Sequence, residues 1–287
     1  MKINKNTKIL IVGLGVIGGG YAAALTRSGY DVCCITKEQK DIDYAIEHGI
    51  IKYGTTEVDA NIVRSAEFII FALYPTIFME WVNNYKHLFT KGCVITDVSG
   101  VKSIVVDVIQ EILPDGVEFI SAHPMAGREQ SGVEFSTPDV FRGANFIITP
   151  TQKNTPEAIE LCRQLAEILG FAKISVLSAE EHDQMIAFLS QLTHCIAITL
   201  MNANHEEGIE KYTGDSFRDL TRIAKINDRM WSELFMLNKE ALLKEMDAFQ
   251  YEFSRFRDML EREDVMAMRE AMRSATKKRC LFDKPDK

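Results

Sequence analysis

Residues 13–18 read Gly13-Leu14-Gly15-Val16-Ile17-Gly18, a G-x-G-x-x-G pattern. The pattern alone says little. Here an apolar run, residues 8–12, precedes it and a helical pattern, residues 16–28, follows it. That strand–turn–helix setting makes it informative. Gly13 permits the tight turn, Gly15 lets backbone approach a pyrophosphate, and Gly18 lets the helix pack closely on the strand. Helix N–H groups beginning at Val16 and Ile17 then face the phosphates with a partial positive charge. The expectation is a dinucleotide-binding unit. A glycine-rich turn without a ligand is the alternative.

The same stretch resembles the outline of a secretory signal: Lys2, Lys5 and Lys8 precede it, and Ala22-Ala23-Ala24 sits near its end. Gly13, Gly15, Gly18, Gly19 and Gly20 argue against that reading, because glycine at such density weakens an apolar helix.

Further apolar runs occupy residues 31–35, 68–73, 93–97, 117–122, 145–149 and 172–177. Helical patterns lie between them at 39–49, 76–87, 102–113 and 156–170. Runs such as Ile9-Leu10-Ile11-Val12 and Phe68-Ile69-Ile70-Phe71 read as strands buried on both faces. Their alternation with helices predicts an α/β, doubly wound, Rossmann-type parallel sheet. After Ser178 the strand signals stop, and residues 179–207, 216–224, 228–238 and 239–278 read as helix, with a loop near 207–215. The expected organisation is a dinucleotide domain at 1–178 and an all-helical substrate and dimerisation domain at 179–287. The Lys-rich end, with Lys277, Lys278, Lys284 and Lys287, reads as a solvated tail.

Ligands of such sheets bind beyond the carboxyl ends of the strands. Leu73 and Pro75, at the end of one run, are therefore expected beside the cofactor. At the end of the second run, NAD enzymes usually carry Asp or Glu for the ribose 2′-hydroxyl. This chain has Thr36 and Lys37 there, followed by Glu38. Thr and Lys suit a 2′-phosphate, so NADP is favoured over NAD.

The formal net charge of −8 argues against nucleic acid, whose phosphates need clustered Lys and Arg. It argues equally against an anionic membrane surface. The six cysteines form no C-x-x-C pair, so neither a zinc site nor a disulfide framework is expected, and a reducing, cytoplasmic compartment is.

His123-Pro124-Met125-Ala126-Gly127-Arg128-Glu129 follows a predicted strand end. A histidine there could simply cap the strand. Its surroundings say more. The segment continues into Ser131-Gly132-Val133-Glu134. Leu220-Thr221-Arg222-Ile223-Ala224-Lys225 precedes Met230-Trp231, and Ser190-Gln191-Leu192-Thr193-His194 lies between. In order and spacing, from about residue 8 to residue 248, the chain resembles the prephenate/arogenate dehydrogenase family of tyrosine biosynthesis.

The resemblance implies oxidative decarboxylation of a small anionic cyclohexadienol, with hydride transfer to a nicotinamide dinucleotide. It implies that His123 takes or shares the C4 hydroxyl proton. It assigns Arg222 to a substrate carboxylate, His194 to a second active-site position, and Gln191, Gly127 and Thr193 to the substrate. It also implies a homodimer through the helical domain. Two segments depart from the family pattern. Where many members read D-x-G-S-x-K and the serine meets the catalytic histidine, this chain reads Asp97-Val98-Ser99-Gly100-Val101-Lys102. Ser99 is the candidate replacement for that serine. In the S-H-L-P-H segment, Gln191 and Thr193 replace His and Pro.

Two rival readings are a β-hydroxyacid dehydrogenase and a dinucleotide sensor without catalysis. The first places a catalytic Lys early in its helical half, and no Lys occurs between Lys173 and Lys211. Retention of His123, His194 and Arg222 opposes the second.

Overall fold

The computed structural model describes residues 3–127, 130 and 132–283. Arg128, Glu129 and Ser131 of the matched segment lie outside the described residues, as do Lys2, Lys284 and Lys287. The chain forms two compact units, Met1–Asn238 and Lys239–Lys287.

In the first unit, strands β1 (Ile9–Val12), β2 (Val32–Ile35), β3 (Tyr53–Thr55), β4 (Phe68–Phe71), β5 (Val94–Asp97) and β6 (Glu118–Phe119) form one sheet. Their order is β3-β2-β1-β4-β5-β6, and every pairing is parallel. Helices α1 (Val16–Arg27), α2 (Gln39–Glu47), α3 (Ala60–Ser65), α4 (Pro75–Tyr85) and α5 (Ser103–Ile112) connect the strands. Successive strand residues point to opposite faces. Ile9 and Ile11 accordingly enter one core, while Leu10 and Val12 enter the other. The order reverses between β2-β1 and β1-β4, which is where such sheets open a crevice.

The seven expected runs do not make one sheet. β7 (Ser121–Pro124), β8 (Asn145–Thr149) and β9 (Lys173–Val176) form a second, three-stranded sheet, with α6 (Pro156–Leu169) between β8 and β9. β7 runs antiparallel to β8, and β9 parallel to it. The run at 117–122 is thus divided. Glu118–Phe119 pairs with β5, and the chain then moves to the second sheet. The physical cause is Asp97, the last residue of β5. Its carboxylate accepts from Ser121 Oγ at 2.7 Å and from the Ala122 N–H at 3.1 Å, a side chain standing where a neighbouring strand would be. β3 and α3 were not anticipated, since both are short and partly exposed.

Helix α1 forms despite three consecutive glycines, each costing about 1 kcal/mol of helix propensity. Packing explains them. A Cβ on Gly18 would collide with the Gly13 carbonyl and come within 2.9 Å of Ala72 Cβ. On Gly19 it would lie 2.7 Å from Ser136 Oγ, and on Gly20 it would lie 3.0 Å from the Phe141 ring. The glycines let α1 sit flush between the sheet and the segment 133–141.

Helices α7 (Ala179–Ile186), α8 (Thr193–Asn202), α9 (Asp215–Thr221) and α10 (Asp228–Leu237) also belong to the first unit. By compactness these helices group with the sheet. A π-helical turn, Ala187–Leu192, joins α7 to α8 without a break, and the helix ends at Asn202 rather than at 207. By length and composition this run is apolar enough to cross a membrane, with a mean hydropathy of 1.4. Yet it buries His182, Asp183 and Gln191, each hydrogen-bonded to protein.

In the second unit, α11 (Lys239–Glu261) and α12 (Val265–Arg279) replace the single helix expected at 239–278. Glu263 adopts φ 55° between them, and the Asp264 side chain caps α12 by accepting from the Ala267 N–H. A left-handed residue ends one helix and a capping carboxylate starts the next.

Gly18→Ala is expected to destabilise the protein by about 1–3 kcal/mol through overpacking of α1 on the Gly13 turn. Urea denaturation of wild type and variant measures this.

Candidate active site

A cavity of about 860 Å³ opens beyond the carboxyl ends of β1, β4, β5 and β7. This falls within the usual size range of small-molecule sites. Gly15, Val16, Ile17 and Gly18 form one wall, and Leu73 and Pro75 stand beside them. Gly13 lies behind, with φ 97°, a conformation that glycine adopts without strain. A Cβ on Gly15 would meet nothing within 4 Å, so this backbone is open to a close ligand. No side chain caps the N-terminus of α1. An exposed helix start and a bare glycine turn fit a pyrophosphate. Thr36 and Lys37 sit at the end of β2, outside the residues lining the cavity. The Thr36 N–H donates to the Thr55 carbonyl, and Lys37 is exposed.

His123 enters from β7, on the far side of the cavity. Its Nδ1 lies 2.8 Å from His182 Nε2, and His182 Nδ1 lies 2.8 Å from Asp183 Oδ1. Asp183 also accepts from the N–H groups of Lys102 and Ser103, both at 2.8 Å. Burial works against its charge, but the bonds from His182 and Ser103 prevail and hold its pKa below 3.8. Burial lowers the His182 pKa, although Asp183 partly opposes the shift. Burial likewise takes His123 well below 6.5, with His182 and the Lys102 cation adding to the shift.

The expected contact from Ser99 to His123 is not made. Ser99 Oγ is buried without a hydrogen-bond partner, while its N–H donates to Asp97 Oδ2. Position 100 lies against the imidazole: a Cβ on Gly100 would lie 3.8 Å from His123 Nε2.

The helical wall brings His194 to the cavity. Its Nδ1 donates to the Ser190 carbonyl at 2.8 Å, and its ring lies 3.7 Å, centroid to centroid, from Trp231. Gln191 also lines the cavity, but its amide is engaged in the protein. Nε2 donates to the Leu234 carbonyl at 3.0 Å, and Oε1 accepts from Asn238 Nδ2 at 2.8 Å. Gly127 also lines the cavity. Thr193 is exposed, donating to the Ser190 carbonyl, and lies outside the lining. Arg222 is exposed in the turn Arg222–Ala224, outside the lining but next to Ile223, which belongs to it. Lys225 is a cation in the wall.

Sequence reasoning missed His182 and Asp183, because they lie within the polar run 180–184, where nothing sets them apart from solvent-facing neighbours. It quoted Asp97 and Lys102 only as a pattern. Both are buried, with Lys102 Nζ donating to Asp97 Oδ2 at 2.8 Å and to the Ala122 carbonyl at 2.6 Å. Burial lowers the Lys102 pKa, and Asp97 pulls it back.

Comparison with known proteins accords with this arrangement. Residues 21–175 match the sequence model for the prephenate dehydrogenase nucleotide-binding domain, and residues 178–274 that for the prephenate dehydrogenase dimerization domain. Prephenate dehydrogenase of Bacillus subtilis is 30% identical over 268 residues, covering 90% of this chain and 71% of that protein. Cyclohexadienyl dehydrogenase of Zymomonas mobilis is 28% identical and covers 94% of each. The crystal structure of Aquifex aeolicus prephenate dehydrogenase with hydroxyphenyl propionate and NAD+ superposes with a TM-score of 0.89 at 30% identity, covering 98% of this chain and 100% of that one.

Lys102→Met is expected to cost about 3–5 kcal/mol, because Asp97 then stays buried without its cation. Chemical denaturation checks the loss.

Proposed function

The chain belongs to the prephenate dehydrogenase family, and from that premise we propose that it oxidatively decarboxylates prephenate, with arogenate as the second candidate, for tyrosine biosynthesis. The observation that carries this reading is His123. It stands in one cavity with the glycine turn, and a buried His–Asp pair lies behind it. A bound nicotinamide dinucleotide supplies the hydride acceptor. His123 Nε2 takes or shares the proton of the C4 hydroxyl and returns it to the phenol oxygen as the ring carboxylate leaves as CO2. Its low pKa keeps the imidazole neutral near pH 7, as a general base requires.

Ser99 and His194 were the other candidates for the catalytic set, and the orphaned hydroxyl of Ser99 supports no such role. His194, which lines the cavity with its Nδ1 proton given to Ser190, is proposed as the second active-site histidine near the substrate. Arg222 is proposed for a substrate carboxylate, a bidentate task that Lys performs poorly. The amino side chain of arogenate would call for a carboxylate near Arg222, but Asp215 pairs with Arg218 at 3.0 Å. Neither Asp215 nor Asp219 lines the cavity, whereas Lys225 does. That supports a keto acid, hence prephenate. Asp228, the carboxylate in the wall among the described residues, already accepts from the Arg229 N–H.

Thr36 and Lys37, without a carboxylate at position 36, support NADP over NAD. The match of residues 178–274 to a dimerization domain supports a homodimer. So do Tyr251, Phe253, Leu260 and Met266, large apolar side chains exposed on α11 and α12. Cys34, Cys93 and Cys162 are buried thiols pushed by burial to about 12, inert groups that suit a reducing cytoplasm.

The test is initial-rate formation of reduced nicotinamide, with prephenate or arogenate paired with NAD or NADP. Prephenate with NADP is expected to be fastest, and silence in all four pairs overturns the function. His123→Asn is expected to bind cofactor normally and lose at least about 100-fold in kcat. In wild type the acid limb of kcat/KM should fall below pH 6.5, because the lowered His123 pKa keeps the base unprotonated until then. Arg222→Gln is expected to raise the substrate KM far more than the cofactor KM. Equal shifts in both would make Arg222 a structural residue.

A further inference from the structure

An imidazole acts as a base only through its bare nitrogen. The tautomer of His123 therefore decides whether the nitrogen facing the cavity can accept a proton. The resemblance assigns the positioning of this ring to a serine hydroxyl. This chain has Gly100 at the position facing the ring, and Ser99 turns its hydroxyl into a buried site without a partner. Something else must hold the ring.

We propose that His182 and Asp183 are positioning residues that fix His123 with Nδ1 protonated and Nε2 bare, in place of the missing hydroxyl. The proposal rests on the reading of His123 as the base. One chain of hydrogen bonds fixes where each proton sits. Asp183 receives the Lys102 and Ser103 N–H groups at the start of α5, both at 2.8 Å. Two backbone donors and a helix N-terminus hold it as a carboxylate. A carboxylate only accepts, so His182 Nδ1, 2.8 Å away, carries the hydrogen. A neutral His182 then has a bare Nε2. Across the next 2.8 Å gap, His123 Nδ1 must donate. Its Nε2 is left bare beside Gly100, toward the cavity.

The opposite tautomer of His123 would set two lone pairs against each other across that gap. His182 is fully buried, so water is shut out as a substitute partner. Among the described residues, the charged groups around the pair are Asp183 on α7, Lys102 at the start of α5 and Asp97 at the end of β5. Lys102 and Asp97 are joined to each other. Asp183 is thus the anion bonded to the relay, and it steadies the positive charge that His123 gains during turnover. Gly100 has a use in this scheme: with no hydroxyl beside it, Nε2 keeps its lone pair for the substrate.

The experiment uses the full-length enzyme with nitrogen-labelled histidine. Imidazole NMR of wild type is expected to show His123 protonated at Nδ1 and bare at Nε2. A ring bare at Nδ1, or one exchanging between both forms, overturns the proposal. His182→Phe removes the acceptor and is expected to lower kcat by about 10–100-fold, as loss of an orienting partner typically does. Substrate and cofactor KM should move less than about two-fold, and the tautomer should become mixed. His182→Gln, whose amide oxygen can accept from Nδ1–H, should recover most of the loss. Unchanged kcat and an unchanged tautomer in His182→Phe overturn the relay. If that variant does not fold, wild-type NMR and His182→Gln still decide, since a glutamine variant that loses about 10–100-fold in kcat, or whose His123 tautomer is mixed, also counts against the relay. A wild type with the assigned tautomer but no turnover on any substrate pair would remove the function and leave the relay. An active wild type with the wrong tautomer would do the reverse.

Discussion

The buried pair of Asp97 and Lys102 is the contact on which the rest of the site depends. Strand β7 leaves the parallel sheet at Ser121 and carries its pairing to β8. One edge of β7 would then face the interior with unpaired backbone. Asp97 takes the Ala122 N–H, and Lys102 gives a hydrogen to the Ala122 carbonyl. The two side chains together stand in for a strand. Charges buried this deeply cost several kcal/mol each to desolvate, and only close pairing with full hydrogen bonding repays that. The return here is geometric. The residue after Ala122 is His123, and its backbone position is set by this clamp.

The same short segment, residues 97–103, serves both halves of the active site. Its beginning holds β7 through Asp97. Its end donates the Lys102 and Ser103 N–H groups to Asp183. Asp183 carries helix α7, and the α7–α8 run delivers His182, Gln191 and His194 along its length. The π-helical turn at 187–192 lies within that stretch, and such turns are frequent at functional sites. The Gln191 amide and Asn238 then tie this run to the end of α10, the helix that brings Trp231 over His194. The site thus rests on hydrogen bonds between buried polar groups, each with a named partner. Ser99 is the exception, and it sits where the chain departs from its family's pattern.

Much of the fold was legible from particular residues. The strand-like runs at Ile9–Val12 and Phe68–Phe71 became central strands because they are apolar on both faces. Gly13, Gly15 and Gly18 marked the turn because only a residue without a Cβ suits those positions. The breaks were less legible. Glu263 ends a helix in a backbone state its side chain does not advertise. The division of residues 117–122 between two sheets depends on Asp97, distant in sequence. The polar pair His182–Asp183 was readable as residues but not as a relay, since its meaning needs His123 from another element.

By itself the sequence determined the strand–turn–helix dinucleotide unit, the alternation of strands and helices to residue 178 and the family. These follow from periodicity, from backbone demands met by glycine, and from motifs in a set order, all of which are local. Tertiary structure alone decided which nitrogen of His123 faces the cavity, that Gly100 rather than Ser99 stands beside it, and that Gln191 spends its amide on the protein. Those outcomes hang on hydrogen bonds between residues tens of positions apart. A hydrogen bond is directional and short, so the fold must place both partners before either has a role.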